Sequence, residues 1–80
     1  MNFQRVTFPG LMPDMSAYAA EVGAWRFLII KDMGRYTTSY RLINPKGPVS
    51  AASTIRGPFD DFSDATDAAD DMLADLRRLS

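Results

Sequence analysis

The 80 residues contain neither cysteine nor histidine, which excludes a disulfide framework, a thiolate metal site, a thiol nucleophile and histidine acid–base chemistry. One small domain of limited core fits that length, and 46% hydrophobic with 24% charged residues is the balance of a folded chain rather than a disordered one. The formal net charge of −1 conceals a segregation: residues 1–56 carry seven basic and three acidic groups, while residues 57–80 carry seven aspartates against Arg77 and Arg78.

Phe3 to Phe8 reads as a short strand or an extended arm, closed by Pro9-Gly10. Pro13 to Gly23 (PDMSAYAAEVG) has the punctuation of a short helix: Pro or Asp at its start, alanines inside, Gly at its end. Ala24 to Lys31 is the best strand. Trp25, Phe27 and Ile29 point one way and Ala24, Leu28 and Ile30 the other, with Arg26 the exception; a strand apolar on both faces is expected at the centre of a sheet. The apolar run Phe27–Ile30 falls far short of the ~20 residues of a membrane span. No basic region followed by an apolar stretch opens the chain, so no signal peptide is expected.

Asp32-Met33-Gly34 is a turn signal, because Gly34 can supply positive φ. Arg35 to Ile43 alternates, with Tyr36, Thr38, Tyr40 and Leu42 on one side, and reads as a half-buried antiparallel strand. Asn44 to Pro48 breaks it, Val49 to Ile55 is expected to return as a further strand, and Arg56-Gly57-Pro58 to end the sheet. Ser63 is a good N-cap. From there Ala65, Ala68, Ala69, Met72, Leu73, Leu76 and Leu79 recur at helical spacing, with Phe62 placed to staple the first turn. The expected fold is α+β: a three- or four-stranded antiparallel meander packed by a C-terminal amphipathic helix, with a possible short N-terminal helix, in one domain over 1–80.

Asp64, Asp67, Asp71 and Asp75 fall within about 80° of one another on that helix, along roughly 16 Å, and Asp60 and Asp61 extend the row upstream. The macrodipole accounts for the first-turn aspartates. It fades before Asp71 and Asp75, where aspartate is a poorer helix former than glutamate and where Asp67/Asp71 and Asp71/Asp75 repel as i,i+4 pairs. A solvating face is the plain reading; a row standing in for phosphates on a basic surface is the functional one.

Enzymatic chemistry is poorly supported, since these carboxylates lie on a polar face where burial cannot tune them. No calcium loop fits: a register from Asp60 places Phe62, and one from Asp64 places Ala68, where a ligand belongs. Gly34 and Gly47 read as turn residues rather than a phosphate loop. No cofactor is expected. The arginines on the strands are expected to pair with acids or to cover the open face of the sheet. The helix–strand–strand–strand–helix order resembles the double-stranded RNA-binding domain, but the start of its last helix is basic, and PFDDFSDATDAADD here inverts that charge.

Read together, MNFQRVTFPGLMPDM, AWRFLIIKDMGRYTTSYRLINPKG and PFDDFSDATDAADDMLADLRRL resemble the small phage-encoded anti-CRISPR proteins, in particular inhibitors of type I systems, type I-C among them. The resemblance implies a cytoplasmic protein of the bacterial host cell that binds the RNA-guided Cascade complex at a DNA- or PAM-binding surface and blocks target DNA, without touching nucleic acid or membrane itself. It would use Asp60, Asp61, Asp64, Asp67, Asp71 and Asp75 as the contact residues. The alternative is a non-catalytic homodimeric interaction or regulatory module, associating through the apolar sheet face around Leu28 and Ile30.

Overall fold

In the computed structural model, which describes residues 1–43 and 54–78, the chain runs β1 (Gln4–Val6), β2 (Ser16–Val22), β3 (Trp25–Asp32), β4 (Arg35–Leu42), β5 (Arg56–Phe59) and α1 (Phe62–Arg78). The strands form one sheet in the order β1-β2-β3-β4-β5, each antiparallel to its neighbour. The protein is therefore α+β, a meander packed by its C-terminal helix, and among the described residues the sheet has five strands rather than three or four.

The added strands come from two segments read differently in sequence. Residues 13–23 do not form a helix: seven of them, Ser16 to Val22, pair in continuous register with Lys31 to Trp25. Alanine favours a helix only by fractions of a kcal/mol per residue, and a full ladder against the apolar β3 outweighs that preference. Gly23, read as a helix stop, takes φ 60° in the two-residue hairpin between Val22 and Trp25, as a type II′ turn requires. The N-terminal arm is a strand as well, pairing Gln4, Arg5 and Val6 with Ala19, Tyr18 and Ala17. With no N-terminal helix, the order no longer matches the double-stranded RNA-binding domain.

Arg56-Gly57-Pro58 does not end the sheet but forms most of β5, while Asn44 to Ser53, including most of the expected Val49–Ile55 strand, lie outside the described residues. Proline is tolerated here because β5 is an edge strand among the described residues. Gly57 has φ 118°, and a Cβ there would stand 2.8 Å from the Tyr36 carbonyl oxygen, so the close approach of β5 to β4 requires glycine.

β3 lies at the centre, as its two apolar faces predict. Phe27 and Ile29 are fully buried on the α1 side. α1 lays Ala65, Ala68, Ala69 and Met72 on that face. Phe27, Ala69 and Met72 form the heart of the core, flanked by Trp25, Tyr40, Leu73 and Leu76. Three alanines in the contact stripe let the helix axis approach the strands, which is how so short a chain closes a core without large side chains on both sides.

The helix begins slightly earlier than the cap expected at Ser63. Asp61 occupies the cap position, its carbonyl accepting from the Ala65 amide at 3.3 Å, and Ser63 is inside the first turn. Phe62 does not fold back as a staple. Its ring meets Tyr18 at 4.9 Å, Tyr36 at 5.5 Å and Phe3 at 6.3 Å between centroids, tying the helix start to β2, β4 and the entry to β1. Among the described residues, no helix is long and apolar enough to cross a membrane.

Candidate interaction surface on the acidic helix

The packed side of α1 fixes where its aspartates point. At 100° per residue, the direction through Ala65, Ala69 and Met72 puts Asp67 on the opposite side of the helix, with Asp71 and Asp70 about 40–60° to either side of it. Asp64 and Asp75 lie on the flank nearer β5. Asp60, Asp61, Asp64, Asp67, Asp70 and Asp71 are all exposed, and Asp75 is half-buried.

Ion pairs divide this set. Asp60 holds Arg35 of β4 at 3.3 Å. Asp75 accepts from Arg56 of β5 at 3.3 Å and also from Arg78 one turn on. Among the described residues, Asp61, Asp64, Asp67, Asp70 and Asp71 have no ion-pair partner. The expected six-residue row is therefore uncompensated at its centre and neutralised at its two ends.

From Asp64 to Asp71, four carboxylates span roughly 10.5 Å of helix axis, one per about 3.5 Å. That matches the ~3.4 Å axial charge spacing of one DNA strand. The carboxylates stand in a row instead of converging, and no cluster of three or more acidic groups suited to a metal ion occurs among the described residues. Such a row projects a negative potential over about 8 Å at physiological salt, and its chemistry is that of a polyanion.

The basic residues are distributed otherwise. Arg26 is paired with Glu21 at 2.7 Å, and Lys31 sits 5.6 Å over the Tyr36 ring. Arg26, Arg35 and Arg56 thus pair with acids as expected, and Arg41 is exposed on the far face of the sheet. Asp70, which is not among the six aspartates of the row expected from the sequence, belongs to its uncompensated part. The Arg56–Asp75 contact joins groups 19 residues apart, which no local pattern signals.

No protein-family model, curated protein or solved structure matches this chain.

Proposed function

We propose that this protein is an anti-CRISPR inhibitor that acts in the bacterial cytoplasm by binding the type I Cascade complex and excluding target DNA. It is non-catalytic and uses no cofactor. The observation that carries this reading is the uncompensated row Asp64, Asp67, Asp70 and Asp71, exposed along one side of α1 at nearly the charge spacing of a nucleic-acid strand. A helix selected only for solubility has no reason to keep repulsive i,i+4 aspartates beyond its first turn.

On this reading the row occupies lysines and arginines that otherwise neutralise DNA phosphates, with Asp61 extending it and the paired Asp60 and Asp75 bounding it. The test is inhibition of DNA binding by purified Cascade. Wild-type protein should block it, and the double variant Asp64→Lys/Asp71→Lys should lose inhibition while retaining its helical circular dichroism and melting transition. Full inhibition by that folded variant would eliminate the row as the contact.

A further inference from the structure

The face of the sheet turned away from α1 is built as four cross-strand rows. Two central rows are neutral: Val6, Ala17, Ile30 and Thr37, then Gln4, Ala19, Leu28 and Ser39. Charged rows close both ends. Glu21, Arg26 and Arg41 lie beyond Leu28, and Asp32 and Arg35 lie beyond Ile30, with Asp60 beside Arg35. The first end carries one net positive charge and the second one net negative charge.

Within each end one pair is already satisfied, Arg26 with Glu21 and Arg35 with Asp60. What remains is Arg41 at one end and Asp32 at the other, both exposed and, among the described residues, without an ion-pair partner. A cleft of about 490 Å³ opens on this face, lined by Val6, Phe8, Ala19, Leu28 and Arg41 among others. Phe8 at its edge is 40% exposed.

We infer that this face is a self-association surface whose occupant is a second copy of the chain. A two-fold axis lying in the interface and running across the strands reverses strand direction in the second copy. It therefore sets the positive end of one sheet against the negative end of the other, twice, and lays Leu28 over Ile30. Arg41 then lies opposite Arg35 of the second copy, whose charge its own Asp60 already offsets, and one strand spacing, about 4.8 Å, to the side of Asp32 of that copy. The ~30° crossing of aligned sheets and the length of an arginine side chain both accommodate that offset. The centre is neutral and partly apolar, with Ala17 already fully buried within the monomer and Val6, Leu28 and Ile30 half-buried, and a neutral centre inside a charged rim has the layout of a protein interface.

The face measures roughly 19 by 20 Å, the low end for a specific interface, so the dimer is a weak one in the micromolar to sub-millimolar range. α1 lies on the opposite side of the sheet, so the dimer leaves Asp64, Asp67, Asp70 and Asp71 of both copies exposed, and it stands independently of the proposed function.

The test is sedimentation equilibrium on the full chain, with no partner present. Wild-type protein should shift from monomer to dimer between about 1 µM and 1 mM. Arg41→Asp and Asp32→Arg each replace attraction by repulsion at both contacts and should weaken self-association by about tenfold or more. An equimolar mixture of the two variants restores both attractive contacts and should dimerise at least as tightly as the wild type. Both substitutions are at exposed positions, and far-ultraviolet circular dichroism checks that each variant folds. A wild-type protein monomeric throughout, single variants that associate like wild type, or a mixture that stays monomeric would each overturn the inference.

Discussion

The Asp75 carboxylate accepts a hydrogen bond from Arg56 of β5 at 3.3 Å, whereas Asp71, one turn earlier on the same helix, faces solvent with no ion-pair partner among the described residues. Two aspartates of one row therefore do different jobs. Asp75→Asn should lower stability by up to about 1 kcal/mol, the scale of a partly exposed ion pair. Asp71→Asn should raise it by a few tenths of a kcal/mol, by removing its repulsion with Asp67 and Asp75. Urea denaturation at low salt measures both, and equal losses from the two variants would contradict this division.

Thr38 is a fully buried polar residue of the sheet, and its Oγ1 donates to the Ala65 carbonyl in the first turns of α1 at 2.9 Å. That carbonyl can also accept the helix's own i→i+4 bond, so removing the hydroxyl strands no acceptor. Thr38→Val keeps the shape and should cost about 1 kcal/mol, the net value of one hydrogen bond. Thr38→Ala should cost more, because it also leaves a cavity. Thermal melts of the two variants distinguish the terms.

Met33, at the tip of the β3–β4 hairpin, is 92% exposed with φ 53°, followed by Gly34 with φ 77°. Positive φ at both turn positions is the type I′ pattern, for which Asn-Gly is the best pair. A methionine in that conformation carries roughly 1 kcal/mol of strain that asparagine largely avoids. Met33→Asn should therefore stabilise the protein by about 0.5–1 kcal/mol, read as a higher denaturation midpoint with an unchanged slope.

Elements with a sustained period were legible in the residues. The apolar spacing from Ala65 to Leu76 marks α1, and the alternation from Tyr36 to Tyr40 marks β4, because each repeats long enough to exclude the other geometry. β2 was not legible: in SAYAAEV small alanines lie on both faces, and its strand character comes from the ladder with β3. β5 is four residues with a glycine and a proline, too short to show a period. The acidic row was visible as a row, while its neutral ends were not, since Arg35 and Arg56 reach Asp60 and Asp75 only through the sheet.

The most direct test of the proposed function is the salt dependence of binding to purified type I Cascade, compared between wild type and Asp67→Asn/Asp71→Asn. Neutral asparagine removes charge with little change in shape or helix propensity. If the row meets a basic DNA-binding surface, wild-type affinity should fall steeply between about 50 and 200 mM salt, and the variant should bind at least tenfold more weakly with a shallower slope. Equal affinity and equal slope for the two proteins, or no binding by the wild type at low salt, would contradict the account.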